Sequence, residues 1–268
     1  MQPNPFNIRY LYSFVIMIYQ YASDLHLEFP ENYDYLMQNP IQPKGDILIL
    51  AGDIVTFSQL EKRMDFFKYL SDHFEQVYWL PGNHEYYYSD ISRCHGSINE
   101  KIKDNLSLVN NIKISVAGSD LIFSTMWSHI SPQNEREIGD SISDFYVIRN
   151  HGRIFRPADF SSLHKQNVEF IEDELSQQNG QRKIVVTHHV PTLTNYPLRF
   201  LGSTLNEAFA VELSEMIEEY KPAYWIYGHH HENIPAFKID QTTMLTNQLG
   251  YVRTKEHAGY SPSKIFEI

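Results

Sequence analysis

The chain has 268 residues, 42% of them hydrophobic and 14% aromatic, and a formal net charge of −11. That length supports one large domain with a sizeable core, and no linker rich in Pro, Gly or Ser and no repeat divides it. The acidic balance repels phosphate backbones, so long nucleic acids are not expected as partners.

In chain order, residues 1–16 (MQPNPFNIRYLYSFVI) read as an N-terminal extension and residues 17–268 as a single domain. The apolar part of the extension is too short to span a bilayer, and no membrane association is expected. A signal peptide cleaved near Ala22–Ser23 is a second reading, but cleavage there would remove the first core strand. An extra strand or a surface helix is a third. Apolar runs of strand length follow at 17–22 (MIYQYA), 46–50 (DILIL) and 76–80 (QVYWL). Between the second and third, Leu60, Met64, Phe67, Leu70 and Phe74 recur at helical spacing, with Ser58 and Glu61 as a capping box. IKISVAGSDLIFSTMW reads as a β-hairpin turning at Gly118–Asp120. The polar stretch 127–160 reads as a loop over the site, and Leu163, Val168, Ile171 and Leu175 mark a helix ending before Gly180.

A fourth strand follows at 183–187 (KIVVT). Next comes a helix through Leu205, Phe209, Leu213, Met216, Ile217 and Tyr220, with Thr204 and Glu207 as its box and Pro222 as its stop. The fifth strand is 223–227 (AYWIY), and AFKIDQTTMLTNQL forms a second hairpin at Asp240–Gln241. Alternating helices and continuously apolar strands imply an α/β layered fold. The single cysteine, Cys94, excludes an internal disulfide framework and fits a reducing compartment, so a cytoplasmic location is expected.

Each of the five apolar runs delivers polar groups at its C-terminal end: Asp24 and His26, then Asp53, then Asn83 and His84, then His188 and His189, then His229, His230 and His231. In open α/β sheets ligands bind at that edge. Asp24 and His26 lie two apart, and in an extended segment both point to one side. The same parity pairs His229 with His231 and turns His230 away. Asp24, His26, Asp53, Asn83, His188, His229 and His231 exceed what one transition metal takes, so two ions sharing a carboxylate are expected. Imidazole and carboxylate ligation without thiolate suits Mn, Fe, Zn or Ni, divalent or trivalent. Two such ions clamp a phosphoryl group during its transfer.

Asp24-Leu25-His26, Gly52-Asp53, Gly82-Asn83-His84-Glu85, His188 and Gly228-His229-His230-His231, in this order, resemble the motifs of the calcineurin-like metallophosphoesterases. The resemblance implies a four-layer α-β-β-α sandwich with two central mixed β-sheets. It also implies a dinuclear phosphoesterase of the small stand-alone type, acting on a phosphate monoester or diester. One metal would take Asp24, His26, Asp53 and His231. The other would take Asp53, Asn83, His188 and His229, with Asp53 bridging. A hydroxide between the ions would attack phosphorus while His84 assists the leaving group, with no covalent phosphoenzyme. The alternative is a non-catalytic metal-binding scaffold or interaction protein with this fold. A small phosphorylated substrate is the expected partner. Arg149, Arg153 and Arg156 are candidates to hold its phosphate, Tyr86, Tyr87 and Tyr88 to line the pocket, and residues 192–204 to form a rim. Glu85 either orients a ligand or is exposed.

Overall fold

A computed structural model describes residues 17–268, so the extension read at residues 1–16 lies outside the described residues. In chain order the first half carries β1 (Ile18–Ala22), α1 (Pro30–Gln38), β2 (Ile47–Ala51), α2 (Met64–His73), β3 (Gln76–Leu80), β4 (Ile98–Lys103), β5 (Leu106–Asn110), β6 (Ile112–Val116) and β7 (Ser119–Ser124). The second half carries α3 (Glu135–Gly139), α4 (Asp144–Val147), β8 (Arg149–Asn150), β9 (Arg153–Ile154), α5 (Pro157–Ser176), β10 (Arg182–Thr187), α6 (Ser214–Tyr220), β11 (Tyr224–Ile226), β12 (Phe237–Ile239), β13 (Thr242–Leu245) and β14 (Ile265–Glu267).

Two six-stranded mixed sheets face each other, in the orders β14-β1-β2-β3-β5-β4 and β12-β13-β11-β10-β7-β6. In each, four inner strands run parallel and each edge strand is antiparallel. The period-two pleat explains the layering. In β2, Ile47, Ile49 and Ala51 turn inward and meet Tyr19, Tyr21, Leu121, Phe123, Ile184 and Val186 between the sheets. Leu48 and Leu50 turn outward, where Phe66, Phe67 and Leu70 of α2 cover them. On the far side, Ile122, Val185 and Trp225 are covered by Ile171 and Leu175 of α5 and Ile217 of α6. The result is a four-layer α-β-β-α sandwich whose strands are apolar on both faces, as buried parallel strands must be.

Neither expected capping box forms. Residues 57–63 curl into a 3₁₀ turn, so α2 starts only at Met64, and Ser58 bonds the Thr56 hydroxyl at 3.1 Å. Residues 204–208 form another such turn, and Glu207 is drawn off by Ser131 and Asn134, at 2.8 Å from each. α5 begins at Pro157, ahead of the apolar repeat, with Asp159 accepting from the Arg156 N–H at 3.0 Å. The stretch expected as an open loop over the site instead folds into α3, α4 and the β8–β9 hairpin around Trp127, Ile138, Phe145, Phe155 and Phe160. No helix among the described residues is long and apolar enough to cross a membrane.

Candidate metal centre

The C-terminal ends of β1, β2 and β3 in one sheet, and of β10 and β11 in the other, converge on one buried site. Asp24, His26, Asp53 and His231 bring ligand atoms within 4.8 Å of one another, and so do Asp53, His188 and His229. Asp53 is common to both groups. His189 stays out of them: its Nδ1 faces the Thr125 carbonyl at 3.3 Å and its ring packs near Trp127.

The backbone reaches this arrangement by left-handed turns, not by extended chain. Asp24, His26, Asp53, His229 and His231 have φ of 56°, 49°, 56°, 78° and 52°. The parity reading therefore fails in its premise, because the chain coils as it leaves each strand. Such conformations cost of order 1–3 kcal/mol each and persist where the surrounding structure over-determines them. The over-determination is visible here. The Asp24 N–H donates to Gly52 O at 2.9 Å, the His26 N–H to Asp53 O at 2.9 Å, and the His229 N–H to Asp24 Oδ1 at 3.0 Å. Gly52 has φ +91°, and a Cβ there would lie 2.3 Å from the His188 ring.

The hydrogen bonds fix which nitrogen of each imidazole faces inward. His26 Nδ1 is held by Glu28 at 3.2 Å, His231 Nδ1 by Glu256 at 2.8 Å and His188 Nδ1 by the Ala51 carbonyl at 3.0 Å, leaving Nε2 of each for the site. His229 is reversed: Nε2 faces the Ala208 carbonyl at 3.3 Å and Nδ1 turns inward. The inward nitrogens meet face to face, His26 Nε2 to His231 Nε2 at 2.9 Å and His188 Nε2 to His229 Nδ1 at 3.1 Å. Asn83 donates its Nδ2 to Asp144 at 2.9 Å, and its buried Oδ1 has no hydrogen-bond partner. Carboxylate, amide and imidazole ligand atoms converging in this way fit a pair of cations. His230 is pinned elsewhere, accepting from Gln248 at 3.0 Å.

Electrostatics agree. Burial opposes ionisation of Asp53, yet His188, then His84 and His26, hold its carboxyl well below the usual range. Burial likewise opposes charge on His188 and His231, but Asp53 lifts the first to about 10, and Asp24 and Glu256 lift the second to about 9. Protons and metal ions thus compete for the same nitrogens. His84 donates Nδ1–H to Glu28 at 2.8 Å and stacks on Tyr87 at 4.0 Å, with Nε2 4.0 Å from Asp53 Oδ2. Glu85 is fully buried. It accepts from the N–H groups of Asp53, Ile54 and Gly82 and from Trp79 Nε1, at 2.7–3.0 Å, and so orients the Asp53 loop. Burial, then the charge on Asp53, push its carboxyl up to about 7.

A cavity of about 440 Å³ opens in front of Asp53, Asn83, His84 and His229. Arg149, Arg153 and Arg156 do not line it. Arg153 is tied to Asp159 and Arg149 to the Gly152 carbonyl, both at the surface, and Arg156 sits at the start of α5. The arginine at the cavity is Arg199, from the expected rim. Of the three tyrosines, Tyr87 lines the cavity, Tyr86 is core and Tyr88 is exposed. Glu28, Asp144 and Glu256 escaped the sequence reading. Glu28 stands two residues past His26 and was within reach of it; the other two sit in no motif.

The chain matches the family model described as calcineurin-like phosphoesterase over residues 21–233. It is 31% identical over 278 residues to uncharacterized protein L509 of Acanthamoeba polyphaga mimivirus, covering 94% of this chain and 96% of the relative. Among solved structures it resembles a phosphopantetheinyl hydrolase from Mycobacterium tuberculosis, at 16% identity and TM-score 0.66, over 93% of this chain and 95% of that one. It also resembles a dimetal phosphatase from Danio rerio, at 13% identity and TM-score 0.50, over 94% and 98%. With the motifs on one edge of two facing sheets and the family match spanning them, this chain belongs to the calcineurin-like phosphoesterase family.

Proposed function

We propose that the protein is a dinuclear metal-dependent phosphoesterase, acting on a small phosphate monoester or diester. The observation that carries this reading is the buried cluster whose four imidazoles each commit their outer nitrogen to an acceptor and turn the inner one towards the carboxylates of Asp24 and Asp53. One ion would be held by Asp24, His26, Asp53 and His231, and the other by Asp53, Asn83, His188 and His229, the pair drawn from Mn, Fe, Zn and Ni. When bound, such ions supply Lewis acidity at the phosphoryl oxygens and lower the pKa of water. His84 presents Nε2 to the cavity while Glu28 holds Nδ1, which suits it to give a proton to the departing oxygen. Asp144 orients Asn83, and Glu85 orients the loop carrying Asp53. A cytoplasmic site of action fits the half-buried free Cys94.

Purified protein reconstituted with Mn is expected to hold two ions per chain by elemental analysis and to hydrolyse bis(p-nitrophenyl) phosphate. Chelation should abolish turnover and re-addition restore it. Two bound ions with no turnover of any phosphate ester would favour the scaffold alternative.

A further inference from the structure

The cavity in front of the centre has two unlike sides. One carries the metal-facing residues, His84 and Tyr87. The other is uncharged and mainly apolar, built from Ile142, Phe200, Leu205, Ala208 and Phe209 with Ser141, Ser143, Ser203 and Asn206 between them. Phe209 lies against His229 with ring centroids 4.7 Å apart at 27°, so the apolar wall begins at the candidate ligands themselves. Ile142, Leu205 and Phe209 are backed by the cluster of Trp127, Phe145 and Phe160, which makes the wall a fixed surface. Past Phe200 the same turn presents Leu198 and Leu201, 84% and 58% exposed, and carries apolar surface out to solvent.

Charge points the same way. Among the described residues lining the cavity, Arg199 is the one arginine or lysine. Its Nε is already held by Glu232 at 2.7 Å, and its guanidinium lies 4.5 Å over the Phe200 ring. Asp144 and Glu256 add negative charge to the lining. A substrate with a second or third phosphate would meet acids and one paired arginine there. The volume suits a small molecule, within the ~300–1,000 Å³ of ordinary ligand pockets.

Resting on the phosphoesterase reading, we infer that the substrate carries one phosphoryl group joined to an elongated, uncharged, largely apolar organic group. That group lies along the wall of Ile142, Phe200, Leu205 and Phe209. Nucleoside polyphosphates are poor ligands, because their extra charge finds no partner. Each methylene buried against the wall should tighten binding roughly fourfold.

The metal-loaded, full-length protein is titrated calorimetrically with n-alkylphosphonates of two to ten carbons, which cannot be hydrolysed. In parallel, kcat/KM is measured for p-nitrophenyl alkyl phosphodiesters of the same chain lengths. The dissociation constant should fall roughly fourfold per methylene over the first several carbons, and ATP should bind no tighter than ethylphosphonate. In Leu205→Asn the chain-length dependence should flatten; Ile142→Asn serves if that variant fails to fold. A flat dependence in the wild type, or preferential binding of ATP, overturns the inference. Turnover with a flat dependence leaves the esterase reading standing and removes the wall. A steep dependence without turnover keeps the wall and removes the esterase. Given the steep dependence, octylphosphonate binding that is unchanged by phosphatidylcholine vesicles identifies a soluble ester as the source, and binding that tightens further when the chain is displayed in such vesicles identifies a lipid; either supports the inference.

Discussion

His84 and His26 share one acid. The Glu28 Oε1 atom lies 2.8 Å from His84 Nδ1 and 3.2 Å from His26 Nδ1, and the carboxyl is held down to about 2 by these imidazoles against the cost of burial. His84→Gln should leave metal content near wild type, because its neighbour Asn83 is the proposed ligand, while turnover falls roughly 10²–10⁴-fold. The loss should be smallest for esters of acidic phenols and largest for alkyl esters. Equal losses on both would make His84 a stabiliser of phosphoryl oxygens. Glu256→Ala frees His231 Nδ1 and should weaken binding of one ion about 10–100-fold, read by competition with a chelating dye; unchanged affinity would show that Tyr251 and the backbone suffice to hold the ring. The candidate ligands were legible because each follows an apolar run directly. Their supports were not, since Glu28, Asp144 and Glu256 meet His84, Asn83 and His231 across 56, 61 and 25 residues of chain. Such pairs arise only when strands from distant parts of the chain come to one edge.

The loops that leave the strands carry their own strain, and glycine relieves it at one point. Gly52→Ala would both occupy a left-handed φ and drive a methyl into the His188 ring 2.3 Å away. It should cost several kcal/mol and empty the centre, seen as loss of bound metal and a lower Tm; normal metal content would mean that the β2 loop can re-route. Glu207 ties the turn at residues 204–208, part of the cavity wall, to residues 131–134, accepting from Ser131 N–H and Oγ and from Asn134. Burial raises its carboxyl, but these donors together outweigh it and hold the group below the usual glutamate range. Its lowered value contributes stability present above the unfolded pKa of ~4.3 and lost as pH falls through the folded value. The stability gap between wild type and Glu207→Ala should therefore be open at neutral pH and close in acid. A gap independent of pH would mean that the contacts act by packing alone. At this scale β1, β2, β3, β10, β11 and both hairpins were readable as apolar or alternating runs. β4 was not: its sequence INEKIK lies at a sheet edge with most side chains exposed, so no apolar run marks it. The failed capping boxes show that a short polar match yields to tertiary donors such as Ser131 and Asn134.

The two sheets are held together by their shared apolar layer and by the centre at its rim. Asp24, His26, Asp53 and Asn83 come from one sheet, and His188, His229 and His231 from the other. Two ions at about 100 times their dissociation constants would add ~2.7 kcal/mol each. Chelation should then lower Tm by on the order of 10 °C, measured calorimetrically with and without metal. An unchanged Tm would show that the ions do not bridge the sheets. β14 closes the first sheet by pairing with β1, and Phe266 stacks on Tyr19 at 5.1 Å. Truncation after Ser263 should remove several kcal/mol and expose β1 as a sticky edge, detected as aggregation on heating; a monomeric, equally stable product would assign β14 a minor role.

The division of the donors between sheets also sets an order of events during synthesis. The chain leaves the ribosome with Asp24, His26, Asp53 and Asn83 first, and His229 and His231 only after most of it has been made. The early donors alone form an incomplete set, and the Asp24 turn gains the bonds from the N–H groups of His229 and Gly250 only when the late residues arrive. Ion capture by the proposed ligand set would therefore come among the last steps of maturation. On the proposed ligand set, a chain stalled before His229 and His231 would complete neither site, and a loaded centre would certify a finished fold.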